Sequence, residues 1–269
     1  MSTRSLGDRI AGTGNLYEWR AGQILKFYGE GVPRDWVVQL GRTERALFEA
    51  GMPLPEVGEL VEIEGGLGQV YERVEGPTLI ESVMAAAAED PGQVVQLGGV
   101  FAETHAKVHT CVPSDDLLAL PRQQQLFRRV IGEQELLPDD LREATLTVLD
   151  QLPGGDRLCH GDFHPYNVLI SSRGPIVIDW NNAHIGNPME DVARTRLMFS
   201  GLGVSEPALY AGLKLFCRAY LERYFELVPE RAECELDDWL PVVAAVRVSD
   251  HIPELEGWLL EQIRSALVM

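Results

Sequence analysis

The most informative segment of the chain reads Leu158-Cys-His-Gly-Asp-Phe-His-Pro-Tyr-Asn-Val-Leu-Ile170. Within it, His160, Asp162 and Asn167 follow the pattern H-x-D-x-x-x-x-N. The three side chains either form a functional loop or belong to a turn whose histidine is satisfied in the core. The residues that follow distinguish these two interpretations.

A β-hairpin is predicted directly after this segment. The apolar triplets Val168-Leu-Ile170 and Ile176-Val-Ile178 read as short strands, and Ser171-Ser-Arg-Gly-Pro175 reads as the turn between them. Asp179 ends the second strand. A hairpin would fold Asp179 back beside Asn167, which favours a functional site over a plain turn.

The spacing H-x-D-x-x-x-x-N is that of a kinase catalytic loop. In such a loop the Asp takes a hydroxyl proton, and the Asn five residues later reaches a metal ion. Asp179 stands where a second metal ligand belongs. Phosphoryl transfer needs oxygen ligands for Mg²⁺, positioned phosphates and an aimed hydroxyl, and it needs little covalent chemistry from the protein.

The segment His160-Gly-Asp-Phe-His-Pro-Tyr-Asn167, with Ile178-Asp-Trp180, resembles the aminoglycoside phosphotransferase and choline-kinase-like group of small-molecule kinases. Gly161 stands where most protein kinases have Arg, and Asp-Trp replaces Asp-Phe-Gly. The resemblance implies an α+β, two-lobed protein-kinase-like fold. A small strand-rich nucleotide-binding lobe would span residues 1–75, and a mostly helical catalytic and acceptor-binding lobe would span residues 76–269.

The resemblance also implies the roles of the loop residues. Asp162 would orient and deprotonate the acceptor hydroxyl, and His160 would brace the loop. Asn167 and Asp179 would hold Mg²⁺, with ATP as the phosphoryl donor and GTP as an alternative. His164 is a second candidate base, but the resemblance places that role on Asp162.

Two features of the amino-terminal third suggest phosphate binding. Gly12, Thr13 and Gly14 form a glycine-rich tip between two extended runs, where backbone N–H groups can approach phosphates closely. A plain hairpin turn would look the same. Lys26 lies in the apolar strand Gln23-Ile-Leu-Lys-Phe-Tyr28, and a lysine on such a strand pairs with the α- and β-phosphates in kinases.

A helix is predicted over residues 33–50, ended by Gly51 and Pro53. Relatives carry on this helix a glutamate that pairs with the strand lysine, but here that place falls near Leu40. Glu44 lies one turn further along on the same face. We therefore predict Glu44 as the partner of Lys26, with a solvated helix charge as the alternative.

Two further strands, Leu60-Val-Glu-Ile63 and Leu67-Gly-Gln-Val-Tyr71, complete this lobe. By resemblance, the interlobe hinge follows them. Glu72 and Val74 would there contribute main-chain groups that bond the adenine edge.

The rest of the chain is predicted to be helical, with one last helix over Leu236–Leu267. His105 and His109 are one turn apart and are interpreted as packing or surface histidines. Asp191 is expected at a helix start, where by resemblance it bonds the backbone of the catalytic loop. The acids near the carboxy terminus, Asp237 and Asp238 among them, are predicted to bind an amino-sugar or amino-alcohol acceptor, with a solvated helix face as the alternative.

Composition sets further limits. The formal net charge of −18 argues against nucleic acid or an anionic membrane as a partner and is compatible with a cationic, hydroxylated acceptor. The chain opens without an apolar signal segment, and no stretch is long enough to span a bilayer. The four cysteines are widely spaced and indicate reduced thiols, so a cytoplasmic protein is expected. Composition does not indicate the oligomeric state.

Two alternatives to an aminoglycoside kinase remain. One is a metabolite kinase that acts on choline or ethanolamine, homoserine, a thio-sugar or a fructosamine. The other is a nucleotide-binding pseudokinase, which Leu40 and the Asn181 that replaces a common acid would favour. The intact Lys26, Asp162 and Asp179 argue against a pseudokinase.

Overall fold

The computed structural model describes residues 6–10, 15–87, 89–114 and 117–268. The predicted tip at Gly12, Thr13 and Gly14 therefore lies outside the described residues. The elements of the first third are β1 (Leu16–Glu18), β2 (Gln23–Gly29), α1 (Arg34–Glu49), β3 (Val57–Ile63) and β4 (Gly66–Glu72). The elements that follow are α2 (Leu79–Ala87), α3 (Pro91–Thr110), α4 (Gln123–Glu133), α5 (Asp139–Gln151), β5 (Arg157–Cys159), β6 (Val168–Ser171), β7 (Gly174–Val177), β8 (His184–Gly186), α6 (Pro188–Ser205), α7 (Pro207–Leu227), α8 (Glu235–Val248) and α9 (Pro253–Leu267).

The chain divides into two compact units. The strand-rich unit holds the described residues up to Pro77 together with Leu169–Asn181, and the helical unit holds Thr78–Val168 and the described residues from Asn182 onward. The segment around Asp179 therefore belongs to the strand-rich unit, although it follows the catalytic loop in sequence. Lys26 and Asp179 fall in one unit, and Asp162 and Asn167 fall in the other.

The strand-rich unit is built on an antiparallel sheet with strand order β1-β2-β4-β3. Leu25, Val61 and Val70 are buried together, whereas Tyr28 packs with Val37 of α1 in a separate cluster. Neighbouring strand residues point to opposite faces. The alternation seen in the sequence therefore gives the sheet two apolar faces, and α1 covers one of them.

The predicted hairpin after the catalytic loop is confirmed, because β6 and β7 pair in a two-stranded sheet. Gly174 begins β7 with φ of +101°, a conformation that side-chain-bearing residues rarely adopt. The hairpin is tied to its own unit by a hydrogen bond from the Val177 N–H to the Pro53 carbonyl. This arrangement fixes the strand that Asp179 follows.

Aromatic side chains fill the centre of the helical unit. Phe101 of α3 stacks on Phe163 with ring centroids 4.5 Å apart, and Phe216 and Tyr220 of α7 pack against Phe101 at 5.4 and 4.9 Å. Phe163 lies between Asp162 and His164 in sequence, so this core anchors the loop directly. Burial of large rings is the main stabilising term here.

The single predicted helix over Leu236–Leu267 is wrong, since the structure has two helices, α8 and α9, in this region. Pro253 is the first residue of α9, and His251 before it has φ of +49°. A proline disfavours continuation of a helix, because it lacks the N–H and restricts the residue before it, although α8 accommodates Pro241 in its interior. None of the described helices is long and apolar enough to cross a membrane.

Candidate active site

The catalytic loop of the helical unit brings Asp162, His164 and Asn167 together. The Asn167 side-chain amide donates from Nδ2 to the Asp162 carbonyl at 3.1 Å, which leaves its Oδ1 directed away from that bond. The Nε2 atom of His164 lies 3.4 Å from Asp162 Oδ2 and 3.3 Å from Asn167 Nδ2. The loop thus presents one carboxylate and one amide oxygen.

The charge on Asp162 is set by its neighbours. Burial would raise the pKa of this carboxyl, but His164, through a hydrogen bond and its charge, and the Arg194 charge lower the pKa to about 2. The Arg194 guanidinium lies 3.8 Å from Asp162 Oδ1. Asp162 is therefore ionised at neutral pH. A carboxylate with so low a pKa suits the orientation of a hydroxyl better than early removal of its proton.

Asp191, at the start of α6, holds the backbone of the loop. The His160 N–H donates to Oδ2 at 2.6 Å and the Gly161 N–H donates to Oδ1 at 3.0 Å. Gly161 has φ of +76°, and a Cβ there would lie 2.4 Å from the Asn182 carbonyl oxygen. Glycine at this position is therefore required by both conformation and space. The structure gives Asp191 the loop-bonding contacts expected from the sequence.

His105 and His109 of α3 are buried and face Asp191, so of the two predicted alternatives they are packing and not surface histidines. Their Nε2 atoms lie 3.2 and 3.3 Å from Asp191 Oδ2, and their Nδ1 atoms lie 2.8 and 2.7 Å from the hydroxyls of Tyr220 and Tyr224. The His105 Nε2 atom lies within ion-pair distance of Asp191 without forming a hydrogen bond of regular geometry, and burial lowers the pKa of His105 to about 3. Burial would raise the pKa of Asp191, but the two histidines hold it well below its usual range.

In the strand-rich unit, Lys26 Nζ donates to Asp179 Oδ1 at 3.1 Å. Asp179 has φ of +66°, the left-handed region that non-glycine residues seldom adopt and that is enriched at functional sites. The Asn181 side-chain amide donates to the same Asp179 oxygen. Asn181 therefore bonds the side chain that the sequence predicts as a metal ligand.

Glu44 was predicted to pair with Lys26, but the ion pair that the structure shows for Lys26 is with Asp179. Glu44 is 4% exposed and accepts a hydrogen bond of 2.5 Å from the Tyr71 hydroxyl. Burial raises the pKa of Glu44 to about 7, against the opposing effects of the Tyr71 bond and the Lys26 charge. Leu40, one turn before Glu44 on α1, is buried in a cluster with Tyr28 and Leu67.

Glu44→Gln is expected to change how stability depends on pH. Native Glu44 holds its proton up to about pH 7, whereas the unfolded chain releases it near the ordinary value of 4.5. Its contribution to the free energy of unfolding therefore falls as pH rises from 4.5 to 7, by about 3 kcal/mol at most. Urea unfolding of both proteins across this range should show the decline only in the wild type. A wild-type-minus-variant difference that stays constant with pH would contradict the buried, protonated Glu44.

The predicted hinge residues differ in how their groups are used. The Glu72 N–H donates to the Glu56 carbonyl at 2.9 Å, and the Glu72 carboxylate accepts from Arg173 at 2.7 and 2.8 Å. The Val74 backbone forms no hydrogen bond with any residue in the described part of the chain. Val74 therefore has a free N–H and carbonyl for a ligand, and Glu72 has its N–H engaged.

The predicted acceptor acids Asp237 and Asp238 lie in the first turn of α8 and are exposed. Asp237 accepts a hydrogen bond of 2.6 Å from Arg196. The acid that the structure brings towards Asp162 is Asp250, which follows the other end of α8 and pairs with Arg194 at 3.1 Å. Sequence reasoning included Asp250 only as one of many acids and missed Arg194, because the two residues are 56 positions apart.

Residues 22–233 match the phosphotransferase enzyme family. The chain belongs to this family. The matched range includes Lys26, Asp162, Asn167 and Asp179, and it ends before Asp237. The chain is thus a small-molecule phosphotransferase, as its catalytic-loop motif predicts. A search of the curated proteins returns no significant match.

Solved structures confirm the protein-kinase-like fold of the phosphotransferase. An aminoglycoside-3′-phosphotransferase of type VIII is 20% identical, with 95% of this chain and 91% of that chain covered and a TM-score of 0.59. An amicoumacin kinase, solved in complex with AMP-PNP, Ca²⁺ and Ami, is 17% identical, with 97% of this chain and 87% of that chain covered and a TM-score of 0.59. A choline/ethanolamine kinase family protein from Mesorhizobium loti is 18% identical, with 97% and 88% covered and a TM-score of 0.52.

Proposed function

We propose that this phosphotransferase moves the γ-phosphoryl group of ATP to a hydroxyl of a small molecule. The observation that carries the proposal is an ionised, partly exposed Asp162 on a loop that Asp191 holds through two backbone N–H groups. A fixed carboxylate of this kind can accept a hydrogen bond from an alcohol and aim its oxygen. In a loose phosphoryl-transfer transition state, the orientation of the acceptor oxygen matters more than the basicity of the carboxylate.

The other residues take supporting roles. Asp162 orients the hydroxyl and accepts its proton late in the transfer, and His160 braces the loop. Lys26 neutralises the charge of the donor phosphates, and its ion pair with Asp179 keeps it extended until they arrive. The free Val74 backbone groups are suited to an adenine edge.

Asn167 and Asp179 are proposed to hold the divalent cation. The donor set fits Mg²⁺, because an amide oxygen and a carboxylate are hard oxygen ligands. Asn167 turns its Nδ2 to the Asp162 carbonyl, so that its Oδ1 is the atom left to bind. When bound, the ion would offset the negative charge that develops on the departing nucleoside diphosphate. The amicoumacin kinase, which was solved with AMP-PNP and Ca²⁺, is similar in this pairing of nucleotide and divalent cation.

The proposal is tested by Mg²⁺-dependent release of ADP or GDP from ATP or GTP across a panel of aminoglycosides, amino alcohols, hydroxy acids and sugars. Asp162→Asn serves as the blank. Release that an acceptor stimulates, and that the blank lacks, would establish the kinase and name its acceptor class. If the protein binds Mg-ATP and no acceptor stimulates release, a pseudokinase role replaces the proposal.

An amino-bearing acceptor is the class that the carboxy-terminal acids favour. If Asp237 and Asp238 bind the amino group, their alanine variants should raise the acceptor KM at least about tenfold, the usual effect of losing a hydrogen bond to a charged group. Steady-state kinetics with the acceptor from the panel measure this. Asp140→Ala, an exposed acid in the first turn of α5, is the matched control. An unchanged KM would remove both residues from the site.

A further inference from the structure

Two arginines without an assigned substrate contact lie near Asp162, Arg194 beside it and Arg247 joined to Arg194 through Asp250. Arg194 of α6 is 4% exposed, and its Nη2 lies 3.8 Å from Asp162 Oδ1 and 3.1 Å from Asp250 Oδ2. Arg247, near the end of α8, places Nη1 3.0 Å from Asp250 Oδ2, and its side chain is 12% exposed. All four residues belong to the helical unit.

The two guanidinium groups have more donors than the protein satisfies. Nε and Nη1 of Arg194 and Nε of Arg247 are buried and find no hydrogen-bond partner among the described residues. A buried charged donor without an acceptor is costly, and native proteins rarely leave one so. The acceptor oxygens for these donors therefore come from ordered water or from a bound ligand.

We propose that the acceptor substrate carries a carboxylate that binds Arg194 and Arg247, close to the hydroxyl that Asp162 orients. This inference rests on the proposed phosphotransferase function and specifies the acceptor of that same site. Arginine presents a planar fork of donors that matches a carboxylate. Because the Arg194 guanidinium is 3.8 Å from Asp162, the carboxylate and the reacting hydroxyl belong to one small molecule.

The charges of the cluster favour a monoanion. Arg194 and Arg247 are balanced by Asp162 and Asp250, so a carboxylate would leave one net negative charge and a phosphate ester would leave about two. A dianion this close to Asp162 would also repel the incoming γ-phosphoryl group. The fitting class is a small hydroxy acid or hydroxy amino acid. Choline, ethanolamine and aminoglycosides carry no carboxylate.

The test compares each hydroxy acid with its own primary amide, which has nearly the same shape and lacks the charge. L-homoserine, glycerate and gluconate, each paired with its amide, are assayed for ADP release with Mg-ATP, and binding of the three acids is measured by calorimetry. The readout is the ratio of kcat/KM for acid over amide. This ratio does not depend on the fraction of folded enzyme.

The wild type should prefer an acid over its amide at least about tenfold, the effect of a hydrogen bond to a charged group. Arg194→Gln and Arg247→Gln should bring the ratio close to one, and Arg194→Lys should retain part of it. Arg218→Gln, which removes an exposed arginine paired with Glu222 on α7, should leave the ratio unchanged.

Three results would overturn the carboxylate assignment. These are equal use of acid and amide, preferred use of an amino alcohol or of glycerol 3-phosphate, and neither binding nor turnover of any acid. The first two would leave the phosphotransferase proposal intact, because transfer itself is seen. Failure of the proposed function would look different, because no acceptor in either panel would then stimulate ADP release from Mg-ATP.

Discussion

Asp162→Asn should lower the turnover number at least about 100-fold, the low end for general acid–base help. The amide nitrogen cannot accept the hydroxyl proton. The substitution also removes the negative charge of the Asp162 carboxylate, which His164 and Arg194 keep ionised. Size and shape are nearly conserved. The loss should therefore appear in kcat, with little change in the affinity for Mg-ATP.

The measurement is kcat from ADP release with the best acceptor, together with nucleotide affinity from calorimetry. Asp150→Asn is the matched control, because Asp150 is a surface carboxylate on α5 that pairs with Arg128. It should retain wild-type kcat. Near-wild-type turnover in Asp162→Asn would remove Asp162 from the reaction and would direct attention to His164, which lies 3.4 Å away.

The parts of the site formed by residues that are close together in the sequence were predictable from the sequence. The H-x-D-x-x-x-x-N loop and the β6–β7 hairpin are short-range structures, so their spacing and turn residues determine them. The Asp191 contacts with the loop join residues some thirty positions apart. Local sequence patterns do not predict such contacts, so they were expected only from the resemblance to the kinase family. The single long helix predicted at the carboxy terminus was wrong because its continuous apolar pattern was given more weight than Pro253. In the structure, Pro253 begins a separate helix.

Pairings between distant residues could not be predicted in this way. Lys26 and Asp179 are 153 positions apart, and the sequence pointed to Glu44 as the partner of the lysine. The fold decides between them by burial, since Glu44 lies beneath the sheet against Tyr71 and becomes harder to ionise. Arg194 and Asp250 are paired across α6 and the end of α8, a contact that no local pattern encodes.

Asp191→Ala is expected to destabilise the protein by about 3–5 kcal/mol, the usual effect of breaking a buried charged network. The carboxylate is fully buried, and it accepts from the His160 and Gly161 N–H groups while His105 and His109 face it. Alanine would leave these donors without an acceptor and would release the backbone of the catalytic loop. Activity should fall together with stability.

The free energy of unfolding in urea at pH 7 measures this effect. The folded pKa of Asp191 is held well below its usual range, so its contribution is complete above the unfolded pKa of about 3.9 and is lost only as pH falls through the lower folded value. Asp191→Asn keeps the volume and serves as the second variant if the alanine protein does not fold. Asp238→Ala, an exposed acid on α8, should have little effect. If Asp191→Asn and Asp238→Ala were equally stable, the loop would not depend on this carboxylate, and its rigidity would have to come from the packing of Phe163 against Phe101 and His105.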